Sequence, residues 1–239
     1  MRLLQLPLDE YRRRLEDDED CSEVVDFLDF VRPAPLRFFA KQSDFEDLYV
    51  HLVRRLEDGQ RRLRLWSAGC GSGEEPYGML MIALSAVEAA GVTLKAVDLK
   101  VLATDISARA LDLGRRGLFD ASRVSKVPGR MLDIFFTETD EGLLFDERER
   151  SRVFFRRLNL ARPPYPMAGP FDAIFCAEGL APMVARARKR VVDAARALLA
   201  EGGLMHTGID YQAMAKAAKD EETLRQERTL QRIRSHGHC

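Results

Sequence analysis

The chain has 239 residues, 46% hydrophobic and 31% charged, enough for one sizeable core with a small accessory part. Its 37 basic and 38 acidic residues nearly cancel, so overall charge makes no case for nucleic acid or a membrane surface as partner. Four cysteines, Cys21, Cys70, Cys176 and Cys239, form no CxxC pair; no apolar run approaches the ~20 residues of a membrane span, and no signal-peptide pattern precedes the fold. Reduced thiols, no membrane insertion and a cytoplasmic location are the expectation.

Residues 8–56 read as short helices, with Val24, Val25, Phe27 and Leu28, then Phe45, Leu48, Val50 and Leu52, recurring at helical spacing. Arg32-Pro33-Ala34-Pro35 breaks the pattern as a turn or linker. From residue 63 strands (63–68, 99–104, 171–176, 203–208) alternate with helices (75–90, 108–115, 184–199). Such alternation predicts an α/β fold: a parallel, Rossmann-like sheet with helices on both faces. Residues 117–153 interrupt the rhythm with Phe135-Phe136, Leu143-Leu144-Phe145 and the turn Asp140-Glu141-Gly142, the pattern of a small antiparallel β insert. Residues 211–234, rich in Ala, Leu, Glu, Lys, Gln and Arg, read as a charged helix. The chain therefore divides into a short helical N-terminal part and linker (1–58), an α/β domain (59–210) and a C-terminal helix and tail (211–239). That last helix is expected to cover an open sheet edge or to form an oligomer contact through Met214, Ala218, Leu224 and Leu230.

The stretch Leu65-Trp66-Ser67-Ala68-Gly69-Cys70-Gly71-Ser72-Gly73-Glu74-Glu75 carries most of the information about a ligand. It runs from an apolar strand through a glycine-rich turn into a helix, and the glycines allow backbone to approach a ligand closely. A phosphate would sit at that helix N-terminus, where Glu74 and Glu75 would repel it. S-adenosylmethionine brings a sulfonium and an ammonium instead, and acidic groups beside a glycine turn suit both. Asp105, ending the second strand in Ala103-Thr104-Asp105-Ile106-Ser107, lies farther from Gly73 than the ~20 residues of the dinucleotide fingerprint. Its carboxylate can accept from two ribose hydroxyls or cap the next helix, a role Ser107 can also fill.

Trp66-Ser67-Ala68-Gly69-Cys70-Gly71-Ser72-Gly73-Glu74-Glu75-Pro76-Tyr77 closely resembles the first motif of the CheR chemoreceptor methyltransferases, which methylate glutamate side chains of bacterial chemosensory receptors. Ala103-Thr104-Asp105-Ile106-Ser107 resembles the second, followed by Ala110-Leu111 and Gly117-Leu118-Phe119. Val153-Phe154-Phe155-Arg156-Arg157-Leu158-Asn159-Leu160 and Gly169-Pro170-Phe171-Asp172-Ala173-Ile174-Phe175-Cys176 continue the match in order. The resemblance implies a class I methyltransferase sheet and S-adenosylmethionine as cofactor. Glu75, Asp105, Asn159 and Leu160 would contact it, with the backbone of Gly69, Cys70, Gly71 and Gly73 beneath and Ala177 and Glu178 completing the set. A protein substrate or signalling partner, such as a chemoreceptor-like protein, is implied as well. The insert is either a docking element or a structural flap.

The acceptor side departs from the pattern. In the family an Asn-x-Thr-x-Phe-Phe-Arg motif precedes the sheet; here Phe38-Phe39 survive, but Ala34, Leu36 and Ala40 replace the other three. After Cys176 the family's Arg, Asn and Tyr are Ala177, Glu178 and Pro182. Losing the arginine removes a planar cation suited to a carboxylate, and Lys41, one helical step of ~100° away, is a poor replacement. No catalytic residue and no metal site is assigned. His51 reads as a helix-surface residue, His206 as a packed strand residue, Cys70 as a packing residue and Arg186, Arg188, Lys189 and Arg190 as a helix surface. Two functions fit: a methyltransferase, in the family a protein carboxyl O-methyltransferase, with an altered acceptor site, or a non-catalytic S-adenosylmethionine-binding regulatory module.

Overall fold

The computed structural model describes residues 37–208, together with Pro7, Asp9 and Glu10. The expected helices before residue 37 and the expected C-terminal helix lie outside the described residues.

Helix α1 (Gln42–Glu57) buries a stripe of Phe45, Leu48, Leu52 and Leu56, the spacing of one helical face. Then follow β1 (Arg62–Ala68), α2 (Glu74–Ala89), β2 (Asp98–Asp105) and α3 (Ala108–Arg116). The insert contains β3 (Leu118–Phe119), α4 (Gly129–Phe135), β4 (Phe136–Thr139), β5 (Gly142–Phe145) and the short α5 (Glu147–Arg150). The chain re-enters the main sheet as β6 (Val153–Arg157) and β7 (Phe171–Phe175), then forms α6 (Ala177–Leu180), α7 (Ala185–Arg196) and β8 (Leu199–His206).

The main sheet has the order β6-β2-β1-β7-β8, and every neighbouring pair is parallel. Parallel strands are covered on both faces. Alternation along β1 sends Leu63 and Leu65 into a core shared with α1, α2 and the insert, while Trp66 and Ala68 enter a second core with Val191, Val192 and Ala195 of α7. The expected α/β sheet and the antiparallel insert are both present, the latter as a three-stranded sheet of order β3-β5-β4.

Four local expectations are corrected. Residues 184–199 do not form one helix, because α7 stops at Arg196 and β8 already begins at Leu199. The last strand, expected at 203–208, begins earlier as β8 and runs through Gly202 and Gly203, where the pairing with β7 shifts register between Phe171 and Ala173. Residues 37–41 form a turn, so Lys41 is the N-cap of α1 rather than a helical position, and its Nζ lies 2.6 Å from Asp44 Oδ1. His51 is half-buried, with Nε2 3.1 Å from the Asp172 carbonyl, and so joins α1 to β7 instead of lying on a free surface.

Candidate functional site at the strand ends

The strand order reverses direction between β1 and β7, and in open parallel sheets ligands sit outside the carboxyl ends at such a point. There β1 runs into the turn Gly69-Cys70-Gly71-Ser72-Gly73, which opens α2. Gly69, Gly71 and Gly73 have φ of 89°, 55° and 102°, a region other residues rarely adopt. A Cβ on Gly69 would lie 2.4 Å from Gly179 Cα, so the turn packs backbone to backbone against α6.

Asp105 ends β2 and ties the turn down. Its Oδ2 accepts the Gly71 N–H at 2.9 Å and its Oδ1 accepts the Ser107 N–H at 2.9 Å. Ser107 takes the helix-capping role, accepting the Ala110 N–H at 3.0 Å at the start of α3. Cys70 is fully buried and donates its N–H to the Thr104 carbonyl at 3.0 Å, as a packing residue should. Thr104 also accepts from the Trp66 indole at 2.9 Å, which locks β1 to β2 beneath the turn.

The two glutamates that look equivalent in sequence are not. Glu74 is fully buried and paired with Arg123 from the loop after β3, with Ser72 Oγ donating to its Oε2 at 3.1 Å. It is therefore unavailable to a ligand, which corrects the reading of an acidic pair facing the cofactor. Glu75 accepts from Ser67 Oγ at 2.6 Å and makes no ion pair among the described residues. Burial pushes its carboxyl up to about 7, the Ser67 hydrogen bond opposes this, and the charges of Glu178 and Asp44 add to the rise. Such a carboxylate lacks a cation, and a sulfonium or ammonium beside it would supply one.

The remaining expected residues surround the same strand ends. Asn159, just beyond β6, accepts the Ala161 N–H at 2.9 Å through Oδ1, and buried Leu160 would touch a Cβ on Gly179. Ala177 opens α6, and Glu178 projects exposed from it. Pro182 is exposed in the turn after α6, whereas Ala40 lines a groove of about 680 Å³ with Phe39, Phe45, Tyr49, Ile82 and Met131. Pro182 is not among that groove's lining residues, so the two altered family positions do not share it. Arg188 does not simply decorate a surface: its guanidinium donates to the Leu180 and Ala181 carbonyls at 3.0 and 2.9 Å and closes α6.

His206 is packed in a strand as expected, ending β8 against the Phe175 ring, but sequence reasoning missed its aspartate neighbours, with Nδ1 3.5 Å from Asp44 and Nε2 3.7 Å from Asp47. Burial lowers its pKa against the pull of those two aspartates. Sequence reasoning also missed Arg123, whose partners lie about fifty positions upstream and carry no local signal. Among the described residues no group of His, Cys, Asp and Glu has the arrangement of a metal site. No described helix is long and apolar enough to cross a membrane.

The family model for the CheR methyltransferase, SAM binding domain, matches residues 36–229. The chain belongs to this family. A chemotaxis protein methyltransferase 2 of Pseudomonas aeruginosa is 33% identical over 213 residues, covering 87% of this chain and 73% of that protein. Chemotaxis protein methyltransferases of Borreliella burgdorferi and Salmonella typhimurium are 30% and 32% identical, covering 70% and 73% of this chain. The match spans 60% of the length of each of those two relatives. S-adenosylmethionine is the cofactor of the CheR domain, and the residues present fit it: a left-handed glycine turn, Asp105 holding that turn, and an uncompensated Glu75 with Glu178 nearby.

Proposed function

We propose that the chain is an S-adenosylmethionine-dependent methyltransferase of a chemosensory or related signalling pathway, acting on a protein through an acceptor site unlike that of its relatives. The observation that carries this reading is Glu75, a carboxylate beside the glycine turn that awaits a cation. When bound, the cofactor supplies an electrophilic methyl group on its sulfonium. The chain's own residues then have to hold and orient. Asp105 fixes Gly71, Glu75 receives the cationic end, and α6 closes against Gly69.

A protein carboxyl oxygen is the acceptor that the resemblance implies. It is anionic at neutral pH, so it needs positioning rather than a base. Charge supports the altered site. Glu178 and Asp44 act on Glu75, Asp44 and Asp47 flank His206, and Lys41 is already paired with Asp44. An acceptor carboxylate approaching these groups meets repulsion instead of an arginine fork. The same facts, with Ala40 and Pro182, favour the second reading, a regulatory module that binds the cofactor without transferring its methyl group.

Titration with S-adenosylmethionine and its demethylated product, followed by a tritiated-methyl assay on a cell extract, separates the two. Binding with labelling supports the enzyme and reveals its acceptor. Binding without labelling selects the module, and no binding removes both.

A further inference from the structure

We propose that Arg123 is a positioning residue for the cofactor turn: by pairing with Glu74 and Ser72 it fixes Ser72-Gly73 and joins the β insert to the turn, so that cofactor affinity and the order of the insert are linked. The inference rests on the reading that S-adenosylmethionine binds at this turn.

The contacts converge on a single guanidinium. Its Nη2 donates to Glu74 Oε1 and to Ser72 Oγ, and the Ser72 hydroxyl passes its own hydrogen to Glu74 Oε2 at 3.1 Å. Ser72 lies between the last two glycines of the turn, and Glu74 is the first residue of α2, so both ends of Gly73 are held from the insert side. The guanidinium also lies 5.4 Å from the centre of the Phe119 ring in β3, and the Arg123 carbonyl accepts the Phe38 N–H at 3.3 Å. Arg123 is thus anchored in the insert and not on the sheet it serves.

Burial makes the pair consequential. The Glu74 side chain is 0% exposed and that of Arg123 only 13%. Removing one partner of a buried pair leaves the other charge uncompensated, which is far worse than losing a surface contact. Pairing also neutralises Glu74, so Glu75 alone keeps a carboxylate for the cofactor.

The insert can transmit order because it is welded to the same helix. Tyr77, one turn into α2, stacks on Phe145 of β5 at 4.4 Å and meets Phe119 edge-on at 5.8 Å, while Phe38 meets Phe119 at 4.9 Å. Ordering the turn with a ligand must then order the insert, and the linkage is reciprocal.

The test uses the full chain and the demethylated cofactor as probe. Arg123→Met should weaken its binding about tenfold or more, the scale of one charge-assisted hydrogen bond, while Arg123→Lys, which still pairs with Glu74, should stay within about threefold of wild type. Hydrogen exchange supplies a readout that a merely structural role would not move. In wild type the probe should slow amide exchange in residues 118–145, and in Arg123→Met that protection should vanish while β8 exchanges unchanged. A folded Arg123→Met protein with wild-type affinity, or a wild-type insert indifferent to the probe, overturns the proposal. Should Arg123→Met fail to fold, Ser72→Ala decides: weaker binding supports the proposal and unchanged binding overturns it. A wild-type chain that binds no probe refutes the cofactor-site reading itself, and the proposal falls with it.

Discussion

Asp105, at the end of β2, and Glu75, in the first turn of α2, do opposite things with a carboxylate. Asp105 accepts two backbone N–H groups and organises the chain around it. Asp105→Ala should therefore weaken S-adenosylmethionine binding by about ten- to a hundredfold, by calorimetry on protein shown to be folded by circular dichroism. Glu75 is held back from ionising, with its carboxyl moved from 4.5 to about 7. A carboxyl whose pKa is higher in the fold than in the unfolded chain holds its proton more tightly when folded, so stability falls wherever the unfolded chain has already ionised and the fold has not. Its contribution is therefore fullest below pH 4.5 and is lost as pH rises to about 7, by at most about 3 kcal/mol. Denaturant melts between pH 4.5 and 8 should show this decline in wild type, and Glu75→Gln should flatten it. Because a cationic ligand favours ionised Glu75, binding should release a proton near pH 6.5 and tighten as pH rises through 7, visible as a buffer-dependent heat of titration. The glycine turn was legible in sequence because its left-handed backbone is a local property, whereas Asp105 reaches it across 34 positions. The unequal fates of Glu74 and Glu75 were not legible, because the cation that separates them comes from residue 123.

At the level of elements, helix α2 is the piece on which sheet, turn and insert all bear. Its Tyr77 hydroxyl donates to the Gly114 carbonyl at 2.8 Å in a buried setting, and its ring stacks on Phe145. Tyr77→Phe keeps the stacking and removes one buried hydrogen bond, the Gly114 carbonyl still accepting the Gly117 N–H at 3.1 Å, so it should lower stability by about 0.5–1.5 kcal/mol; Phe145→Ala should cost about 3–5 kcal/mol, both read from urea midpoints. Four of the five parallel strands could be read from sequence because short apolar runs alternate with helical stretches, and the insert because it breaks that period; β6, with Phe154 and two arginines exposed along it, was missed as a strand. Helix α6 could not, since Ala177-Glu178-Gly179-Leu180 has no helical stripe and owes its shape to Arg188 and to the close approach at Gly69. The start of β8 was misjudged for the opposite reason: two glycines that usually end a strand here sit within one, in register-shifted pairing with β7.

At the scale of the whole molecule, the proposed function has the charges of Glu75, Glu178, Asp44 and Asp47 favour a cationic cofactor over an anionic acceptor. Methylation of receptor glutamates should accordingly be at least about a hundredfold slower than by a relative with an intact arginine and tyrosine, measured with purified receptor fragments and labelled cofactor. Comparable rates would show that the acceptor is held by groups other than the missing ones. The parallel sheet and the glycine turn follow from local sequence, whereas the pairing of Glu74 with Arg123 depends on how the insert meets α2, which no single motif specifies. The ion pair between Glu74 and Arg123 has a bearing on engineering as well. Residues 62–116 hold all three glycines and Asp105, and they look like a cassette that could be moved into another α/β scaffold. Transplanted alone, that segment would carry a carboxylate shaped for the inside of a protein with its counter-ion left behind in the donor. The cofactor cradle is a two-part device whose second part is encoded downstream, and a successful graft has to carry both.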